Sequence, residues 1–277
     1  MYAITVGPIT LNALSFPAGV TDLGSVERPF GILGLRNRVY FSNGTVKLLY
    51  TDGSSSLKIA GDVPGGARFL AVVGTYLFMA YLREGSIDLP TTVRWSASGD
   101  PNSYSQTSSG VNQLIEVPDE ITGVVSVGRS LFIARTNGVT VVTPTGIGIA
   151  PLAFENFSTE PEGVGNKYPY TLAAYGNRYV LFVSDDNVYE MTLPTVVPIG
   201  GANKREIFKD IAATNGIITG RIVPNLGVDF DFLSYWLTIP KAGGASTTWV
   251  LNLENRAWSK FESPTGALGA LATVFTT

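Results

Sequence analysis

Five short segments of the chain superimpose on one pattern: LRNRVYF (35–41), VGTYLFM (73–79), VGRSLFI (127–133), YGNRYVL (175–181) and DFLSYWL (231–237). Each ends one apolar strand, passes through a tight polar step, and restarts as an aromatic or aliphatic strand. Gly74, Gly128 and Gly176 open the step in the middle three, and Arg36 and Phe232 stand in that place in the outer two. Equivalent positions are separated by 38, 54, 48 and 56 residues, which suits four-stranded units whose outer loops differ in length. A sheet of three or four strands cannot cover both of its own faces. Repeats of this kind must therefore stack, and stacking around an axis gives a β-propeller.

The segments between these steps are also short and rich in β-branched and aromatic residues, bounded by Gly, Pro, Asn, Asp and Ser. Asn43-Gly44 and Asn137-Gly138 read as type I′ hairpin turns, in which both central residues need positive φ. Asp185-Asp186-Asn187 stands in their place in the fourth unit. Helical periodicity is confined to KREIFKDI (204–211). The chain reads as one all-β domain over 1–277. Five units are complete, and MYAITV with ITLNAL at one end and GALGALATVFTT at the other supply strands for a shared last blade. The reading is a six-bladed propeller closed by N- and C-terminal strands, with five blades as the alternative. A β-sandwich accounts for the strands but not for the repetition.

Composition narrows the chemistry. There is no His and no Cys, which excludes imidazole acid–base catalysis, Ser-His-Asp triads, thiolate nucleophiles, disulfides and Cys-ligated zinc. Hydrophobic residues make up 45% and charged residues 15% of the chain. That combination suits a subunit within an assembly, because it leaves a thinly charged surface. The net charge of −3, with Lys204-Arg205 as the densest basic run, argues against a nucleic-acid-binding face. No apolar run is long enough for a membrane span, and the N-terminal stretch, broken by Gly7-Pro8, reads as strands rather than a signal peptide.

RWSASGDPNSY (94–104) carries a resemblance. On local grounds TTVRWS is the outer strand of the second unit, and GDPNSY is the turn that leaves it. Yet the order W-S-x-x-G-D-P-x-x-[WY] followed by I-T-G and a later Gly resembles bacteriophage tail proteins that contain β-propellers. Trp95, Ser96, Gly99, Asp100, Pro101 and Tyr104 match the first element, and Ile121, Thr122, Gly123 and Gly128 the second. Thr171, Gly176, Ser184, Asp186 and Tyr189 fill the next blade of that pattern. The resemblance covers roughly residues 94–191. It implies a virion component of the tail, made in the host cytoplasm, of nozzle or hub type. Its partners would be identical subunits in a ring and other tail proteins, with DNA passing through a channel that its acidic balance would keep from sticking. This chain is shorter than nozzle proteins of that family, which permits a smaller hub or accessory subunit.

Other readings attach to particular residues. A propeller glycosidase would need two inward carboxylates, and the candidates are Asp22, Asp119, Glu120, Glu155, Glu160, Glu162, Asp229 and Asp231. Asp119 and Glu120 are adjacent, so on extended backbone they point in opposite directions. A host-glycan-binding propeller would stack sugars on Trp95, Trp236, Trp249 or Trp258, of which Trp258, beside Asn255-Arg256, is the exposed candidate. Asp185-Asp186-Asn187 is too poor in oxygens for calcium, which takes six or more ligands, and no metal or cofactor is expected. The longest loops are 102–118, 144–170 and 194–216. Within GIGIAPLAFENF, the residues Ile147, Ile149, Leu152, Phe154 and Phe157 form either an extra strand at the rim or an interaction surface, which Trp258 would join.

Overall fold

The computed structural model describes residues 15–263 apart from 19, 21–27, 55, 117–118, 158, 160–161, 194 and 227–230. Within them the strands form five four-stranded antiparallel sheets, each a meander in which neighbours in sequence are neighbours in space. Blade 1 holds β1 (Gly31–Leu35), β2 (Arg38–Ser42), β3 (Leu49–Thr51) and β4 (Lys58–Ile59). Blade 2 holds β5 (Gly66–Val73), β6 (Tyr76–Glu84), β7 (Ile87–Trp95) and β8 (Gly110–Gln113). Blade 3 holds β9 (Ile121–Val127), β10 (Ser130–Arg135), β11 (Val139–Pro144) and β12 (Leu152–Phe157). Blade 4 holds β13 (Ala173–Tyr175), β14 (Tyr179–Val183), β15 (Val188–Thr192) and β16 (Thr195–Pro198). Blade 5 follows the helix α1 (Lys204–Ala212) and holds β17 (Thr219–Leu226), β18 (Asp231–Pro240), β19 (Ser246–Asn252) and β20 (Trp258–Ser263).

First strands pack on first strands: β1 on β5, β5 on β9, β9 on β13 and β13 on β17. The chain is therefore an all-β propeller of five described blades, the smaller number that the repeat allows. A further blade shared by the terminal strands falls on 1–14 and 264–277, outside the described residues.

The core is a series of layers between blades, as radial stacking requires. Tyr40, Ala67, Leu77 and Met79 fill the layer between blades 1 and 2. Phe69, Phe78, Trp95, Ile121 and Ile133 fill that between blades 2 and 3. Val127, Phe132, Val180 and Phe182 join blades 3 and 4. Leu181, Val188, Tyr235, Leu237 and Trp249 join blades 4 and 5, with Ile207 and Ile211 of α1 closing one end. Polar ties run through the same layers: Ser42 Oγ donates to Ala67 O at 2.5 Å, and Tyr235 Oη donates to Thr171 O at 2.8 Å.

The repeated step between first and second strands is a local necessity of backbone geometry. Gly74, Gly128 and Gly176 have φ of 57°, 59° and 58°. Arg36, in the equivalent place, has φ of 58° despite its side chain. The partner loop residue is not in the left-handed region, which is the φ signature of a type II′ turn.

Three details depart from the sequence reading. Neither Asn-Gly pair makes a type I′ turn. Gly44 has φ of 79°, but Asn43 is not left-handed; its Oδ1 instead accepts from the amides of Thr45 and Val46 at 3.0 and 3.1 Å and organises a longer loop. At Asn137-Gly138 neither residue has positive φ. In blade 5 Phe232 is not at the turn but in β18, paired with Asn225, because the first hairpin there is eight residue pairs deep. Finally, β7 is the third strand of its blade, not the outermost, and β8 pairs beyond it.

Candidate functional site

The motif at 94–104 is used up in packing. Trp95 is 9% exposed, lies parallel to Phe78 at 6.5 Å, meets Phe154 at 5.7 Å, and donates from Nε1 to Ser108 O at 3.1 Å. A Cβ on Gly110 would sit 2.3 Å from the Trp95 ring, so only glycine lets β8 run past it. Ser96 exchanges hydrogen bonds with the backbone of Leu77. Asp100 caps the amide of Asn102 at 3.1 Å, and Tyr104 is buried against blade 1, with its amide donating to Asp62 at 2.6 Å. Further along, Ile121 and Thr171 are fully buried, and Tyr189 Oη donates to Asp186 at 3.0 Å. These residues carry structural duties at blade junctions, and none of them forms an open ligand subsite.

The apolar stretch after β11 resolves into a strand and a tip. β12 pairs with β11 from Val139↔Phe157 to Pro144↔Leu152 and completes blade 3. Leu152 is buried, and Phe154 and Phe157 are half-buried against the layers on either side of the blade. Of the two readings of this stretch, the extra strand at the rim describes these three: edge pairing turns them inward. Ile147 and Ile149, at the hairpin tip, are 56% and 87% exposed. Trp258 is not a free sugar platform either. Its ring meets Trp249 edge-on at 6.4 Å, and Nε1 donates to Ile199 O at 2.8 Å.

Among the described residues the candidate carboxylates do not converge. Asp119 takes both the backbone and side-chain amides of Asn137, at 3.1 and 2.9 Å, within blade 3. Glu120 turns the other way, to Arg68 of blade 2 at 3.4 Å. Glu155 and Glu162 are exposed on separate elements. Asp231 begins β18, and Asp22, Glu160 and Asp229 fall outside the described residues. Asn187 Oδ1 is spent on the amides of Val188 and Gly200. Among the described residues no group of three or more acidic side chains is placed to hold a metal ion.

One cluster is invisible in the sequence. At the end of the propeller where the first strands begin, Arg28, Asn43, Gly44, Arg68 and Tyr81 line a narrow cleft. The Arg68 guanidinium lies 5.4 Å from the centres of both the Tyr81 and Tyr170 rings, and Nε donates to Tyr170 Oη at 3.2 Å. Both tyrosines are non-glycine residues in the left-handed region, with φ of 54° and 73°. At Tyr81 the β6–β7 register shifts by a bulge, which re-aims the side chain. Arg28 pairs with Asp88 at 3.0 Å, and Arg83 reaches the same carboxylate at 3.4 Å.

Titration follows from the same geometry. With no histidine, no ordinary side chain titrates near neutrality. Burial pushes the phenols of Tyr104, Tyr175 and Tyr235 up, and Tyr189, buried and bonded to Asp186, is raised to about 12. A phenol raised on folding stabilises the fold fully below the ordinary value near 10, and that stability is lost as pH climbs through the folded value. Asp210 runs the opposite way. Burial alone would raise it, but Lys241 and Lys260, each at 3.1 Å, and Trp249 Nε1 outweigh burial and hold it low. Its contribution is present above the ordinary aspartate range and lost as pH falls through the lowered value. The urea midpoint should therefore be flat from about pH 6 to 9 and fall above about 10 and below about 4. A change between pH 6 and 9 would contradict this assignment.

No family model and no curated protein matches the chain. A solved structure described as the SapL1 lectin in complex with alpha methyl fucoside is similar over 86% of this chain and 83% of that one, with 13% identity and a TM-score of 0.46. Among the described residues no helix is long and apolar enough to cross a membrane.

Proposed function

We propose that this chain is a non-catalytic structural subunit of a bacteriophage tail, which works by holding neighbours at its rim. The observation that carries this reading is the distribution of exposed apolar side chains over the outermost strands. Ile59 on β4 is 40% exposed, Val111 on β8 52%, Val197 on β16 51% and Phe261 on β20 58%. Blade 3 presents Ile147 and Ile149 at the hairpin that feeds β12. Each described blade thus offers at least one large apolar group at its periphery, on or beside its fourth strand. Apolar groups on an edge favour association, because burying them against a partner releases water and the edge amides gain partners. The resemblance at 94–191 supplies the tail context, and copies of this chain in a ring, with other tail proteins, are the partners.

Sedimentation velocity tests the rim. The purified chain should form a closed oligomer, and Ile147→Ser with Ile149→Ser should shift it toward monomer without lowering its melting temperature. A wild-type monomer at all concentrations up to the solubility limit would count against the reading.

A second reading, a host-glycan-binding propeller, is favoured by the cleft beside Arg68. There tyrosine rings and guanidinium groups from separate blades meet on one face, which is the chemistry of polar ligand recognition.

A further inference from the structure

We propose that Lys167 and Asn137 join in an isopeptide bond, formed by the folded chain itself with Asp119 as the proton carrier.

The first ground is the chemistry of the three groups. Lys167 Nζ donates to Asn137 Oδ1 at 2.7 Å, and Asn137 Nδ2 donates to Asp119 Oδ1 at 2.9 Å. Asp119 Oδ2 also accepts from Asn137 N at 3.1 Å, which fixes the carboxylate beside the amide. A cation at one end and an anion at the other settle which end of the amide is oxygen. The ammonium draws electrons from the carbonyl and leaves Cγ open to a nucleophile. The same lysine, once it sheds a proton, is that nucleophile. Among the described residues Lys167 makes no ion pair, so no carboxylate competes for its amine.

The second ground is that the backbone holds the partners together. Three segments meet here: the lead into β9, the hairpin between β10 and β11, and the run before β13. Thr136 N donates to Glu120 O at 3.2 Å, Asn166 N to Arg135 O at 3.0 Å, and Lys167 N to Val183 O at 3.0 Å. A Cβ on Gly165 would lie 2.5 Å from both Arg135 O and Thr136 O, so only glycine lets the run before β13 come this close. Groups pinned within one molecule in this way react as if at a concentration that free amines and amides do not reach.

The step balances without a further reagent. The Nζ–Cγ bond forms and the Cγ–Nδ2 bond breaks, so a lysine ammonium and a primary amide become a secondary amide and an ammonium ion. Nζ gives up two protons, both end on the leaving nitrogen, and Asp119, already on that nitrogen, is placed to deliver them. The bond ties the second hairpin of blade 3 to the entry of blade 4 across 30 residues, in a chain with no cysteine to do the same.

Intact mass and tryptic mapping of the purified chain test this. The chain should weigh about 17 Da less than its sequence, one ammonia. Trypsin does not cut after an acylated lysine, so residues 136–178 should stay in one piece instead of parting after Lys167. Lys167→Arg should have its full mass and part at that position. Asp119→Asn should lower the linked fraction, because help from a placed proton carrier is worth about a hundredfold or more in rate. A chain of full mass that parts after Lys167, even after days at pH 9, would overturn the proposal. So would the loss of ammonia with normal cutting after Lys167, which marks ring closure by Gly138 N onto Asn137 instead. Equal linkage in the wild type and Asp119→Asn would uphold the bond and overturn the part given to Asp119. If Asp119→Asn does not fold, the wild type and Lys167→Arg still decide the bond.

Discussion

Truncating Trp95 to alanine should lower the free energy of unfolding by about 3–5 kcal/mol, the range for removing a large buried aromatic. The indole fills the layer between blades 2 and 3, between Phe78 of its own blade and Phe154 of the next. Its Nε1 bond to Ser108 O is lost with it, leaving that carbonyl to find water. Collapse cannot refill the space cheaply, because the layer is bounded by two sheets whose registers are fixed by backbone ladders. Gly110→Ala approaches the same contact from the other side. Its new Cβ would meet the ring at 2.3 Å, so the outer strand β8 must shift or detach. Urea unfolding of both variants checks this. A loss below about 1 kcal/mol for Trp95→Ala, the scale of an ordinary surface change, would mean that the ring does not bear on the layer as described.

Arg135→Ala should be equally damaging, at about 3–5 kcal/mol, for a different reason. Arg135 is 1% exposed, an unusual place for a guanidinium. It reaches Thr140 and Asn156, Thr140 Oγ1 donates to Asn156 Oδ1 at 2.7 Å, and Asn156 donates to Glu116. Burial pulls the pKa of Arg135 down, and the nearby charges of Asp119 and Glu116 oppose that. Removing the cation leaves the buried Thr140 without it and takes from the exposed Asn156 and Glu116 the charge they gather around. Arg135→Met separates the two effects: it keeps most of the volume, so its loss should be clearly smaller than that of alanine if packing matters. Equal losses for Ala and Met would assign the whole effect to the charge network.

The propeller was readable because its first hairpin demands a left-handed residue, and glycine advertises that demand at 74, 128 and 176. Arg36 obeys the same backbone rule, so the alignment holds there without glycine. It slips in blade 5 because the Asp231–Phe232 segment imitates a turn while extending a ladder. The outermost strands were harder. Lys58–Ile59 and Thr195–Pro198 are too short for alternation to show, and Gly110–Gln113 lies in a stretch of turn residues. Pattern alone leaves residues 147–157 open between an extra strand and an interaction surface, because burial of the β12 side chains depends on a partner strand that the local sequence does not supply. The Arg68 cleft had no local signature at all. Its members are scattered from Arg28 to Tyr170 and meet only through radial stacking, and the left-handed φ of Tyr81 and Tyr170 is not encoded by a residue type that favours it.

The most direct measurement is quantitative mass spectrometry of purified virions that carry this gene, with the tail released from the capsid. The chain should be present in the tail fraction at a fixed multiple of a known ring component. Its complete absence from intact particles, with the protein found only free in the infected cell, would contradict the structural role.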